Sequence, residues 1–128
     1  GTNKNSILPP HELAYQELRN LKKMNLLQNE QEKKFHFALS EILRNYFEAI
    51  YELAVTDMTT EEIVVALRKV DQINSHLKKE FISILQETDL IKFTDTRLGE
   101  EGSMNLFQRA EKFVDSTRPV VVSEESVV

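Results

Sequence analysis

The chain has 128 residues, a formal net charge of −5, no cysteine, and only 3 glycines and 3 prolines. This length suits one domain, and the missing cysteine excludes a disulfide framework, a thiolate metal site and a cysteine nucleophile. The negative charge argues against a general nucleic-acid binder, which needs a positive field, and the scarcity of turn residues favours helices over a turn-rich β sandwich.

The first part of the chain predicts a linker and then two amphipathic helices. Residues 1–8 are polar and unpatterned, so we interpret them as a linker that precedes a helical domain over residues 9–118. Over residues 11–28, Leu13, Met24 and other apolar side chains share one helical face, with Glu17 inside that stripe. Residues 31–53 carry the widest stripe, which indicates a central helix with several neighbours; its members are Phe35, Leu39, Ile42, Leu43, Tyr46, Ile50 and Leu53.

The second half of the chain predicts three more helices. Residues 59–62 form a capping box, in which the side chains of Thr59 and Glu62 each accept from the other residue's backbone N–H. The third helix therefore begins there, and it ends near residues 69–71. A fourth helix is predicted over residues 74–87, and the apolar residues 89–93 fit either a last turn or a brief strand. A polar loop and a fifth helix over residues 103–116 complete an all-α bundle of about five helices, followed by a flexible tail over residues 119–128.

No motif in the sequence predicts a catalytic, cofactor or metal site. The three histidines lie on different predicted helices without ligand spacing, and His36 follows Glu32 at the distance typical of a surface pair. Neither a glycine-rich phosphate loop nor a nucleophile elbow is present. We therefore expect no enzyme activity and no cofactor. Glu17 keeps one alternative open, an enzyme or metal protein that uses a buried carboxylate, although a place at the wet margin of the stripe explains it more simply.

The polar side of the central helix carries aromatic residues that break its pattern. Phe37 falls beside Arg44, and Tyr51 lies near the edge of the apolar stripe. An exposed aromatic ring next to arginine is typical of surfaces that anchor a protein partner, unless another helix or the linker covers it. With Asp89 and Lys92, these three residues form the candidate partner surface.

A winged helix-turn-helix is the alternative for the second half of the chain. Helices three and four are joined by a tight turn, and residues 89–93 follow where a wing strand would lie. The predicted recognition helix, however, offers Lys78 and Lys79 against Glu80, Glu87 and Asp89. Nucleic-acid binding is therefore the weaker hypothesis.

Five short segments are LPPHE at 8–12, LSEILRNY at 39–46, DMTTEEI at 57–63, DLIKF at 89–93 and EKFV at 111–114, the last followed by Thr117. In this order and spacing they resemble the cytoplasmic C-terminal domain of BatD (Bacteroides aerotolerance) proteins and their single-span relatives. These relatives are encoded beside MoxR-type AAA ATPases and von Willebrand A-domain proteins. The chain departs from the family near the end of the second helix, where Ile50 and Glu52 stand in place of a basic residue and a glycine.

The resemblance implies a domain at the cytoplasmic face of a bacterial inner membrane, held by a transmembrane helix upstream of residue 1, with residues 1–8 as its juxtamembrane remnant. It implies protein partners, either a MoxR-like AAA ATPase or a von Willebrand A-domain protein, in an assembly for stress tolerance. No apolar run in the sequence approaches the roughly 18–20 residues that span a bilayer, so this fragment itself is predicted to be soluble. The leading hypothesis is a non-catalytic scaffold or adaptor domain.

Overall fold

A computed structural model describes residues 8–120 and confirms the all-α bundle. The helices are α1 (Pro10–Lys23), α2 (Glu32–Tyr51), α3 (Thr60–Leu67), α4 (Ser75–Phe93) and α5 (Gly99–Thr117), and a 3-10 turn (Val55–Asp57) connects α2 to α3. No strand occurs among the described residues. None of the helices in this range combines the length and the apolarity that a bilayer crossing requires. Of the predicted linker over residues 1–8 and the predicted tail over residues 119–128, residues 1–7 and 121–128 lie outside the described residues.

Helix α2 is the central helix, as its wide apolar stripe predicts. It packs against α1, α4, α5 and the 3-10 turn. At its centre the Phe47 ring stacks on Phe81 of α4 with 3.9 Å between ring centroids, and the Phe113 ring of α5 lies 6.3 Å away. Burying three large aromatic rings at one point stabilises the packing of three helices together.

Helix α1 is shorter than predicted, because it ends at Lys23 and not near residue 28. Asn25 and Glu30 have φ of 54° and 59°, a left-handed conformation that cannot continue a helix. The buried face of α1 consists of Ala14, Leu18 and Leu21, while Leu13 is 44% exposed and Met24 is 51% exposed. The prediction that Leu13 and Met24 face inward was therefore wrong.

Helix α2 ends on a residue in a left-handed conformation. Glu52 has φ 56° and ψ 43°, and its backbone N–H donates to the carbonyl of Glu48 at 2.8 Å. The left-handed region crowds Cβ, so it costs about 1–2 kcal/mol in any residue except glycine. Glu52 adopts this conformation nonetheless, and α2 ends there.

Helix α4 continues through residues 89–93, so this stretch is the last turn of the helix and not a brief strand. Helix α5 starts at Gly99, earlier than predicted. Two adjacent residues of α2 contact both boundaries. Lys33 Nζ donates to the carbonyl of Ile91 at 2.9 Å and to that of Thr94, so it serves the free carbonyls at the end of α4. A Glu32 carboxylate oxygen accepts from the Gly99 N–H at 3.2 Å, so it serves the free N–H groups at the start of α5.

The capping box at the start of α3 is confirmed. The Glu62 N–H donates to the Thr59 hydroxyl at 3.1 Å, and the Thr59 N–H donates to the Glu62 carboxylate at 2.9 Å. With residues 89–93 helical, the segment after the α3–α4 turn has no wing strand. Residues 89–93 therefore do not form the wing strand that a winged helix-turn-helix requires.

Candidate functional site

The last turn of α4 places an ammonium group between two exposed aromatic rings. Lys92 Nζ lies 4.8 Å from the ring centroid of Phe37 and 5.0 Å from that of Phe93. The two rings meet edge to face at 5.8 Å. Phe37 and Phe93 are 47% and 68% exposed, whereas the Lys92 side chain is only 6% exposed. The rings thus cover the cation and hold it by cation–π attraction while they remain open to solvent themselves.

Few polar groups compensate Lys92 for its burial. The Asp89 carboxylate lies 3.6 Å from Nζ, and the Ser40 hydroxyl accepts a long hydrogen bond from it at 3.5 Å. Asp89 also accepts from the Thr60 hydroxyl at the start of α3. Burial lowers the pKa of Lys92, the nearby Arg44 charge adds to that effect, and Asp89 opposes it. The ammonium is consequently fixed in position but incompletely neutralised.

Arg44 holds the connection between α2 and α3 in place. Its Nη2 donates to the backbone carbonyls of Val55 and Thr56 at 3.2 and 3.4 Å, and to that of Met58. Its Nε is buried and has no acceptor within residues 8–120. Glu48 accepts from the Thr56 N–H at 3.0 Å and from its hydroxyl at 2.8 Å, and these bonds lower the pKa of Glu48. The guanidinium is therefore held rigidly in place, with its unpartnered Nε closed to solvent.

Two neighbouring concavities open at these residues and share Arg44, Thr56 and Lys92. The first, the α3 cavity, has a volume of about 570 Å³ and lies between residues 56–61 and the last turns of α4. The second, the α2 groove, has a volume of about 490 Å³ and follows the outer face of α2. The α2 groove is lined by Lys34, Phe37, Ala38, Ser40, Glu41, Arg44, Asn45, Thr56 and Lys92.

The structure brings together four of the five residues predicted for the partner surface. Phe37, Arg44, Asp89 and Lys92 line these concavities. Tyr51 lies 14 residues after Phe37 on the same helix, about 21 Å along its axis, and its ring packs 4.6 Å from that of Phe47. Tyr51 therefore belongs to the other end of the bundle.

Phe93 is the most exposed aromatic ring of the site, and sequence reasoning missed it. Residues 89–93 were open to a strand interpretation, in which Lys92 and Phe93 would point to opposite faces. In the helix, both side chains reach Phe37. Extending the predicted fourth helix through residue 93 would have placed Lys92 and Phe93 on neighbouring positions of the same helical surface.

Glu17 lies at the margin of the apolar stripe and is half-buried. Partial burial raises the pKa of its carboxylate, and the negative charge of Glu41 adds to the effect. The described residues contain no group of three or more histidine or carboxylate side chains that could hold a metal ion. Glu17 is thus a carboxylate of α1 whose pKa is raised by burial and by Glu41 of α2.

His36 is the most strongly perturbed histidine, and it does not form the predicted surface pair with Glu32. The His36 side chain is fully buried, its Nε2 lies 2.9 Å from the Ser103 hydroxyl of α5, and its Nδ1 has no partner in the described part of the chain. Burial lowers the pKa of His36 to about 4. The imidazole is therefore neutral at pH 7 and acts as a polar link in the core.

Comparisons of this chain with protein-family models, with curated proteins and with solved structures find no match.

Proposed function

We propose that this domain is a non-catalytic adaptor that binds another protein through one surface, which we call the Lys92 surface: Phe37, Arg44, Asp89, Lys92 and Phe93. The observation that carries the proposal is the pair of exposed rings braced by a nearly buried ammonium. Interfaces are enriched in aromatic residues and arginine, and their energy is concentrated in a few anchors.

The rigidity of the surface supports this use. The Lys92 cation is held by two rings and a carboxylate, and three backbone carbonyls hold the Arg44 guanidinium. Ordering a flexible side chain on binding costs about 0.5–1.5 kcal/mol. A surface that is ordered beforehand avoids most of this cost, so a small interface binds more tightly.

The resemblance to BatD-type domains supplies the proposed partners and location. On this proposal the domain sits at the cytoplasmic face of the inner membrane and binds a MoxR-like AAA ATPase or a von Willebrand A-domain protein. A membrane tether would raise the local concentration of these partners, so that even a weak contact would be occupied. The proposed assembly serves stress tolerance.

The test is a binding titration with purified MoxR-like ATPases and von Willebrand A-domain proteins. We expect Phe37→Ala and Phe93→Ala each to weaken binding at least about tenfold, which corresponds to about 1.4 kcal/mol. Leu13→Ala is the matched control, because Leu13 is 44% exposed on α1 and lies outside the Lys92 surface. If the wild-type domain binds neither class of partner, the proposed partners are wrong.

A further inference from the structure

The α2 groove is locally positive in an acidic protein. Its lining includes three cations, Lys34, Arg44 and Lys92, and one carboxylate, Glu41, whereas the whole chain has a net charge of −5. A concave wall with an excess of one sign of charge attracts ligands of the opposite sign. The groove is therefore complementary to negative charge, unlike the protein as a whole.

The cations of the groove are poorly neutralised by the protein itself. Lys34 is exposed and makes no ion pair within residues 8–120. The Arg44 guanidinium bonds only to neutral carbonyls in that range. Lys92 has a single carboxylate at 3.6 Å, which also accepts from the Thr60 hydroxyl. An incoming carboxylate can thus pair directly with the exposed Lys34, while the fixed charges of Arg44 and Lys92 add attraction from the groove wall.

The groove also offers an apolar contact beside its cations. Phe37 is part of its lining, and the Phe93 ring meets Phe37 edge to face at 5.8 Å. A ligand that places a carboxylate on the cations can therefore bury an apolar side chain on the rings. Alternating acidic and apolar side chains meet both requirements within a few residues.

We propose that the α2 groove binds an acidic linear segment of the partner protein, with an Asp or Glu side chain paired with Lys34 and attracted by the fixed charges of Arg44 and Lys92, and with an apolar side chain on Phe37. This inference rests on the proposed function and adds the chemistry of the partner. A short segment touches only the positive groove, while a long polyanion such as nucleic acid also meets the negative charge of the rest of the surface.

The test is fluorescence anisotropy of the full chain with a short labelled peptide in which Asp and Glu alternate with Leu and Phe. We expect saturable binding that weakens as NaCl rises, and binding at least about tenfold weaker to the same peptide with Asn and Gln. A labelled single-stranded DNA oligonucleotide is the third probe. Equal binding of the amide peptide or of the DNA would overturn the inference.

Lysine variants locate the binding in the groove. We expect Lys34→Gln and Lys92→Gln each to weaken binding of the acidic peptide about threefold to tenfold, and Lys79→Gln, an exposed position on α4 outside the groove, to leave it unchanged. Lys34 is exposed, so its variant also tests the groove if Lys92→Gln alters the fold. Unchanged binding by Lys34→Gln would overturn the inference.

The two proposals fail in different ways. The domain could bind a MoxR-like or von Willebrand A-domain partner in a Phe37-dependent way but not bind the acidic peptide. That result would support the adaptor function and contradict the acidic-segment inference. The domain could instead bind the acidic peptide with the expected lysine dependence but bind neither partner. That result would support the proposed chemistry of the groove and contradict the proposed partners.

Discussion

Lys92 Nζ lies 4.8 Å from the centroid of the Phe37 ring, so a cation of α4 is held by an exposed aromatic ring of α2. The Phe37 ring is 47% exposed, whereas the Lys92 side chain that it covers is only 6% exposed. Core packing alone would bury the ring and expose the cation. The inverted arrangement is the reason for assigning this surface to binding.

We expect Lys92→Met to separate binding from stability. Methionine fills similar space without the desolvation cost of the ammonium, and the Asp89 carboxylate that loses its cation is 24% exposed and keeps the hydrogen bond from the Thr60 hydroxyl. The free energy of unfolding in urea should therefore fall by no more than about 1 kcal/mol, while affinity for the partner falls. A variant that binds as well as the wild-type domain would remove Lys92 from the site.

We expect Glu52→Gly to stabilise the domain by about 0.5–1 kcal/mol, because glycine adopts the left-handed conformation without crowding but is more flexible when unfolded. Chemical denaturation would measure the change. Glu52→Ala is the control, since alanine faces the same strain at φ 56° and should give no gain. Equal stabilities of the Gly and Ala variants would show that the left-handed cap is not the cause.

We expect His36 to make the domain less stable in acid. Unfolded His36 gains a proton below its ordinary pKa of 6.5, whereas the folded imidazole remains neutral down to about 4. The unfolded state therefore binds more protons between these two values, and stability falls as the pH falls through that window, by about 3 kcal/mol in all. Glu17 acts in the opposite direction, because its raised pKa favours the folded state on acidification.

Urea unfolding of the wild-type domain and His36→Gln across this pH range would isolate the contribution of His36. Glutamine can still bond to the Ser103 hydroxyl but does not titrate, so the variant should lose less stability on acidification. If the free energy of unfolding of the two proteins fell equally with pH, the lowered pKa of His36 would be contradicted.

We expect Glu32→Ala to destabilise the domain by about 1 kcal/mol, because the first N–H groups of α5 lose an acceptor and a favourable charge. Glu32→Gln keeps an acceptor without the charge and should cost less. Hydrogen exchange at Leu98 and Gly99 would report the effect locally. Unchanged exchange in Glu32→Ala would mean that the first turn of α5 does not depend on this cap.

The fold was predictable where its signals are local. The stripe of α2 and the capping box of α3 each lie within one segment, and both are confirmed. The end of α4 and the start of α5 were not predictable, because their contacts with Lys33 and Glu32 of α2 join residues that are 58 and 66 positions apart in the chain. His36 was misplaced for the same reason, since its partner Ser103 is 67 residues away.

The candidate site was predictable in part. Phe37 stood out because it breaks the helical pattern of α2, and that observation needs no tertiary information. Its contacts with Lys92 and Phe93 depend on how α4 crosses α2, which periodicity does not encode. Tyr51 was grouped with Phe37 because both are aromatic residues off the central stripe, and only the length of the helix separates them.

The most direct test of the adaptor proposal is amide NMR of the labelled domain during titration with a purified MoxR-like ATPase or von Willebrand A-domain partner. We predict shifts or line broadening that centre on Phe37, Lys92 and Phe93, with the exposed face of α1 around Leu13 unaffected. Perturbations confined to α1, or spread evenly over the domain, would contradict the assignment of the Lys92 surface as the binding site.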